Sequence, residues 1–251
     1  MKQIFVFAAG IALAHAAFAQ ELVKIETRPG VTQSFFIANM DKRKPDAAAL
    51  LLVGGGGNIN FLSRSRGEFI RNGILPVIVH APSDQQAQGM SDAFRRSAEH
   101  AVDMRAVLAE VKKRYPELPV FLVGISRSTI SVVNLAVVMD TEIAGAVLSS
   151  SVFYAGGGRV RSPLLLAFNW SAIRIPLLLV HHVDNQCPAA PYEEAERLGR
   201  RFPLITVRGG KRAEMGRCGP QSAHGFFGKE PETVAAIAAW MLAKPFAREI
   251  Q

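Results

Sequence analysis

Several features that mark common functional classes are scarce or missing in this sequence of 251 residues. It has two cysteines, and no CxxC pair of the type that holds a structural zinc ion. It has no internal repeat, no low-complexity block and no basic stripe interleaved with aromatic residues. These absences argue against a zinc-binding module, a repeat protein and a nucleic-acid-binding protein.

The formal net charge of +8 is spread along the chain. The basic groups are short, as at 42–44 and 112–114, and other positive charges are isolated. A charge of this size can steer acidic substrates. The scattered pattern favours an ordinary solvated basic surface, so no nucleic-acid partner is expected.

The N-terminal segment has the features of a secretory signal. Lys2 supplies the positive start, an apolar stretch follows, and Ala17-Phe18-Ala19 gives the small-x-small pattern of a cleavage site. The alternative is a membrane anchor, but the stretch is shorter than the roughly 20 apolar residues of a spanning helix. We predict a signal over 1–19, cleavage before Gln20, a periplasmic or secreted location, and no stable membrane anchor.

The remaining 20–251 segment has the size and composition of one folded domain. About 230 residues suit a single hydrophobic core and are few for two. The apolar fraction of 49% and the charged fraction of 20% are ordinary for a globular protein. Nothing in the sequence indicates the oligomeric state.

Apolar runs alternate with amphipathic ones along the chain. Runs that are apolar on both faces suit buried parallel strands, and apolar spacings of three and four suit helices. Strand–helix alternation predicts an α/β fold with a mostly parallel central sheet and helices on both faces. The predicted strands are 22–27, 33–38, 48–53, 74–80, 120–123, 143–148, 176–180 and 204–207; the predicted helices are 97–115, 127–139, 192–202 and 231–242.

Ser126 is the best candidate for a nucleophile. It lies in Gly124-Ile125-Ser126-Arg127-Ser128, directly after one predicted strand and directly before a helix. A serine there occupies a sharp turn that exposes its hydroxyl above the sheet. The competing interpretation is a serine that only caps the helix.

A serine hydroxyl needs a base, and the base needs an orienting group. His224 and Asp184 each follow a late predicted strand, at the sheet edge where open α/β sheets place their sites. The alternatives for the base are His80, His100, His181 and His182. Asp184 could instead cap a turn, and Asp140 and Glu142 are less suitable acids because they follow the helix after Ser126.

The glycine run over 54–57 follows the 48–53 strand. Glycines let backbone N–H groups approach an anionic centre closely. We predict that Gly55, Gly56 and the N–H of Arg127 form an oxyanion hole. A phosphate-binding loop is the alternative, but the run lacks the Lys and Ser/Thr of a P-loop.

On these residues the chain resembles the α/β-hydrolase superfamily, particularly its small secreted bacterial members. The resemblance rests on the glycine run, the Ser126 motif, the segments 60–66 and 81–84, His181-His182-Val183-Asp184 and His224-Gly225-Phe226. It implies an α/β-hydrolase fold with a minimal lid and the triad order Ser126, Asp184, His224. Two departures are Ser128, where the superfamily usually has glycine, and Val53, where many lipases have histidine.

Cys187 lies three residues after the proposed acid, and Cys218 lies six residues before the proposed base. In an oxidising compartment an even cysteine count favours a disulfide. Such a bridge would hold the Asp184 loop near His224. The alternative is two free buried thiols.

The sequence therefore predicts a serine hydrolase that cleaves an ester or related acyl bond of a small molecule without a cofactor or metal. Thioester, lactone and small amide substrates stay open. The alternatives are a non-catalytic binding protein on the same fold and a metal-dependent hydrolase built on His181, His182 and Asp184. The segment 151–175 is predicted as a loop with a short helix. Its aromatic residues either line an acyl pocket or belong to the core; they are Phe153, Tyr154, Phe168 and Trp170.

Overall fold

The computed structural model describes residues 20–40, 43–53, 59–155 and 162–251. Eleven strands and six α-helices occur in these residues. The strands are β1 (Gln20–Arg28), β2 (Val31–Ala38), β3 (Ala47–Leu52), β4 (Ile74–Val79), β5 (Val120–Ile125), β6 (Gly145–Ser149), β7 (Tyr154–Ala155), β8 (Ser162–Pro163), β9 (Leu177–His182), β10 (Leu204–Val207) and β11 (Glu249–Ile250). The helices are α1 (Phe61–Arg64), α2 (Arg66–Arg71), α3 (Ala98–Arg114), α4 (Ser128–Val138), α5 (Tyr192–Leu198) and α6 (Glu230–Met241).

Nine strands form one sheet in the order β1-β2-β4-β3-β5-β6-β9-β10-β11. The hairpin β1–β2 is antiparallel, β2 runs antiparallel to β4, and the remaining neighbours are parallel. The parallel strands β3, β4, β5, β6 and β9 are buried along their whole length. This burial explains why they read as continuous apolar runs.

Helices cover both faces of the sheet, as predicted. On one face α3, α4 and α5 pack through residues such as Met104, Ile130 and Ala195. On the other face α1, α2 and α6 contribute Phe61, Phe69 and Ile237. The sheet therefore separates two apolar layers, and the carboxyl ends of its parallel strands share one edge.

Two helices begin at residues that are typical of helix N-termini. Ser97 caps α3, its side chain accepting from the His100 N–H, and Pro231 lies in the first turn of α6. The described residues of the segment 151–175 differ from the predicted loop with one short helix. They contain the short β7–β8 pair and two single 3₁₀ turns, Leu165–Ala167 and Trp170–Ala172. No helix in the described residues has the length and apolarity required to cross a membrane.

Candidate active site

Ser126 lies on a strained turn between β5 and α4. Its φ angle is 55°, in the left-handed region that residues other than glycine rarely adopt. The Ser126 carbonyl accepts from the backbone N–H of Thr129 at 2.9 Å and from its hydroxyl at 2.6 Å. The side chain is partly exposed. This is the geometry of a serine presented above a sheet edge.

Two small residues make this turn possible. A Cβ on Gly124 would lie 2.7 Å from Cγ2 of Val132 and 3.1 Å from the Ser128 backbone, so α4 packs directly on β5. Ser128 is not merely small enough to stand where the superfamily has glycine. Its hydroxyl accepts from the Ile125 N–H at 2.8 Å and lies 2.7 Å from the Leu52 carbonyl. Ser128 thereby ties the nucleophile turn to the end of β3.

His224 is buried at the same edge of the sheet. It lies in a 3₁₀ turn, Ala223–Gly225, and the Ser222 hydroxyl accepts from its backbone N–H at 3.2 Å. Its ring nitrogen Nε2 is buried and has no hydrogen-bond partner among the described residues. Burial lowers the pKa of His224 to about 4, so the ring is neutral near pH 7. A neutral imidazole with a free nitrogen is able to accept a proton.

The end of β6 connects Ser126 with His224. The Ser126 N–H donates to the Ser149 carbonyl at 3.0 Å, and the Ser150 hydroxyl donates to the His224 carbonyl at 2.8 Å. Adjacent residues of one strand end therefore hold both loops. The loops that carry the predicted nucleophile and the predicted base are therefore both anchored to the end of β6.

The segment 60–66, which carries part of the family resemblance, supports the His224 loop. Arg64 donates to the Pro220 carbonyl at 2.9 Å and pairs with Glu230 at 2.7 Å. The Phe61 and Phe226 rings pack edge to face with centroids 4.8 Å apart. The sequence motif marks this supporting role, although sequence reasoning assigned it none.

Asp184, the predicted orienting acid, makes no hydrogen bond or ion pair with His224 among the described residues. Its side chain is 73% exposed, and its carboxylate is 4.0 Å from Nδ1 of His182. The side chain beside Nδ1 of His224 belongs to the next residue, Asn185, whose amide atoms Nδ2 and Oδ1 lie at 3.2 and 3.3 Å. Sequence reasoning missed Asn185 because a carboxylate is the usual partner of a catalytic histidine.

The other histidines have different surroundings. Both ring nitrogens of His182 are engaged, one with the Gly209 carbonyl at 2.9 Å and one with the Asp184 N–H at 3.0 Å. His181 and His100 are buried, and burial lowers the pKa of each to about 3. No three His, Cys, Asp or Glu side chains form a metal-binding group in the described part of the chain.

A disulfide joins Cys187 to Cys218, with Cα atoms 4.7 Å apart. It links the loop after β9 to the loop that precedes His224. The predicted bridge is therefore present. The residue that it holds beside His224 is Asn185, which is hydrogen-bonded to the Cys187 N–H, and not Asp184.

The predicted oxyanion donors are only partly described. Gly55 and Gly56 lie outside the described residues. Arg127 follows Ser126, and its exposed guanidinium donates to Asp92 from Nε at 3.0 Å and from an Nη atom at 2.7 Å. Asp92 lies in the segment between β4 and α3, so this segment holds the Arg127 side chain in place.

A cavity of about 350 Å³ lies beside Arg127. Of the four aromatic residues considered for an acyl pocket, Tyr154 lines this cavity. Phe153 is a core residue, and Phe168 packs on Trp170 with ring centroids 5.1 Å apart. Mostly apolar groups line it, together with one ion pair: Asp92, Arg127, Val152, Tyr154, Ala155, Leu164, Pro188, Ala189 and Cys218.

Comparisons with known proteins agree on the fold. Est1E from Butyrivibrio proteoclasticus superimposes with a TM-score of 0.64 at 13% identity, over 89% of this chain and 99% of that one. A soluble variant of monoglyceride lipase from Saccharomyces cerevisiae gives 0.65 at 14% identity, over 93% and 98%. The esterase domain of a Rhodothermus marinus protein gives 0.61 at 15% identity, over 90% and 99%.

These likenesses show that the chain has the α/β-hydrolase fold. Neither a protein-family model nor a curated protein matches the sequence. The prediction of this fold from the residues and from the resemblance is confirmed.

Proposed function

We propose that this protein is a serine hydrolase that cleaves carboxylic esters or related acyl bonds of small molecules. The observation that carries the proposal is a strained, partly exposed Ser126 and a buried His224 with an unpartnered Nε2, on two loops that are both hydrogen-bonded to the end of β6. Structural neighbours that are esterases and a lipase support the ester class. A mostly apolar cavity beside the turn supports an acyl substrate.

In this mechanism Ser126 attacks the carbonyl carbon while Nε2 of His224 takes the hydroxyl proton. The imidazolium then gives that proton to the leaving oxygen, and the C–O bond breaks to leave an acyl-serine. Water attacks the acyl-serine with His224 again as the base, and the acid product leaves. We propose that the Arg127 N–H, with Gly55 or Gly56, stabilises the oxyanion. Losing one such donor costs about 3 kcal/mol of transition-state stabilisation.

We also propose that the protein acts after export, in the periplasm or outside the cell. Two observations support this location. The N-terminal sequence has the pattern of a cleaved signal, with a positive start at Lys2, an apolar stretch and Ala17-Phe18-Ala19. The Cys187–Cys218 disulfide suits an oxidising compartment.

A fluorophosphonate probe tests the hydrolase proposal directly. We expect the folded protein to gain one phosphonyl adduct on the Ser126 peptide, because only an activated serine reacts at neutral pH. The Ser126→Ala variant should remain unlabelled, and the Ser171→Ala variant, which changes an exposed serine, should label like the parent. Folded protein that takes up no adduct would favour the non-catalytic binding protein instead.

A further inference from the structure

We infer that Asn185, rather than Asp184, positions His224, so that the site operates as a Ser126–His224–Asn185 relay. The inference rests on the proposed function. Asn185 and His224 are both buried, and the Asn185 amide is the group in contact with Nδ1. An amide in this place can set the orientation and the tautomer of the ring without adding a charge.

The orientation of the Asn185 amide follows from its second contact. The backbone N–H of Cys187 donates to Oδ1 of Asn185 at 3.1 Å. That bond fixes the position of Oδ1 on the side of the amide that faces the Cys187 N–H. Because an amide oxygen can accept two hydrogen bonds, Oδ1 can still accept a second one. A base needs its lone pair on Nε2, so the ring proton is on Nδ1, and Oδ1 is the atom of Asn185 that can accept it.

This contact removes the usual objection to asparagine in such a site. When an amide replaces the carboxylate of a triad, its N–H group can favour the wrong histidine tautomer and lower kcat by about 10⁴. Here the Cys187 N–H disfavours a flipped Asn185 amide, because the flip would place the Nδ2 donor opposite the Cys187 N–H, which is also a donor. The loop therefore keeps Oδ1 3.3 Å from Nδ1, where it can accept the ring proton of the productive tautomer.

Backbone geometry also explains why Asp184 is directed outward. The Asp184 N–H donates to Nδ1 of His182, and the Asn185 N–H donates to the His182 carbonyl at 3.2 Å. This tight turn sends successive side chains in different directions. Asp184 faces solvent, and Asn185 faces His224.

The disulfide links the loop that carries Asn185 to the loop that leads to His224. Cys187 provides the N–H that holds Asn185, and Cys218 lies on the loop that leads into the Ala223–Gly225 turn. The Ser222 hydroxyl continues this path, donating to the Gly219 carbonyl at 2.8 Å and accepting from the His224 N–H. Asn185 is therefore a positioning residue held by the covalent link.

Two neighbouring positions provide a matched test. We would measure kcat and KM for a short nitrophenyl ester between pH 5.5 and 9 with Asn185→Ala, Asn185→Asp and Asp184→Asn. Asn185→Ala should lower kcat by about 10²–10⁴ with little change in KM, because the base loses its orientation. Asp184→Asn should keep kcat within about threefold, since its carboxylate makes no contact with His224.

The Asn185→Asp variant separates positioning from a merely structural role. A carboxylate accepts the same two hydrogen bonds and should restore most of the activity. It should also raise the pKa of His224, because a nearby negative charge favours the imidazolium. We expect the acid limb of kcat/KM to move upward into the measured pH range, where the parent protein is flat.

Three results would overturn the inference while leaving the hydrolase proposal intact. They are a wild-type rate in Asn185→Ala, an Asp184→Asn loss as large as that of Asn185→Ala, and an Asn185→Asp pH profile identical to that of the parent. Each requires that the parent protein is labelled by the fluorophosphonate probe. An unlabelled parent removes the hydrolase proposal itself. Near-UV circular dichroism identifies variants that fail to fold, and the Asp184→Asn and Asn185→Asp comparisons still decide the matter if Asn185→Ala is one of them.

Discussion

The Ser126→Ala variant is expected to hydrolyse a short nitrophenyl ester with a kcat about 10⁴–10⁶-fold below that of the parent protein. The size of the loss follows from the way nucleophile and base act as one unit in serine hydrolases. Residual activity over water should survive, because oxyanion donors and substrate binding do not depend on the hydroxyl. Steady-state and single-turnover kinetics with purified protein measure the effect.

The same interdependence predicts a double-mutant result. His224→Gln should cost about as much as Ser126→Ala, and the combined variant should be hardly slower than either single one. His80→Gln provides the control, since His80 follows β4 at a strand end and was an alternative base. Additive losses in the double variant, or a large loss in His80→Gln, would contradict the pairing of Ser126 with His224.

Mild acid is expected to destabilise the folded protein strongly. Burial lowers the pKa of His224 to about 4 and that of His100 and His181 to about 3, whereas an unfolded histidine has a pKa near 6.5. Between those values the unfolded state binds protons that the folded state does not. Stability from these groups is therefore present above pH 6.5 and is lost as pH falls toward 4.

The expected fall in the free energy of unfolding with decreasing pH is comparable to the total stability of a typical domain. Each such histidine contributes about 1.4 kcal/mol per pH unit, so three give roughly 4 kcal/mol per unit, against a typical total of 5–15 kcal/mol. Urea unfolding at intervals from pH 7.5 to 5 measures this slope. Leucine in place of His100, whose ring nitrogens have no hydrogen-bond partner in the described part of the chain, should reduce the slope by about a third. Equal urea midpoints at pH 7 and pH 5 would contradict the account.

Much of the sheet could be read from the sequence because burial on both faces leaves continuous apolar runs. β3, β4, β5 and β9 are examples, and each of their observed bounds lies within two residues of the predicted one. The short elements escaped prediction. α1, α2 and β11 depend on tertiary contacts, such as the packing of Phe61 on Phe226, that local patterns do not encode.

The site was predictable to the level of loops but not of side chains. Ser126 and His224 could be proposed because strand, turn and helix patterns place each of them in a loop after a strand, and their catalytic roles stay predictions. The choice between Asp184 and Asn185 depends on how one tight turn directs adjacent side chains, and the hydrogen bonds of that turn involve His182 and Cys187. The role of the Ser128 hydroxyl was equally hidden, since its partner Leu52 is distant in sequence.

The left-handed backbone at Ser126 has a consequence for evolution in the laboratory. A conformation of this kind costs a residue with a Cβ about 1–3 kcal/mol, and glycine adopts it without that penalty. A library that is screened only for thermostability should therefore accumulate glycine at position 126. On the proposed mechanism, such variants would be more stable but would lack hydrolase activity. On the proposed mechanism, thermostability and turnover compete at this single residue, so a useful screen has to select for both.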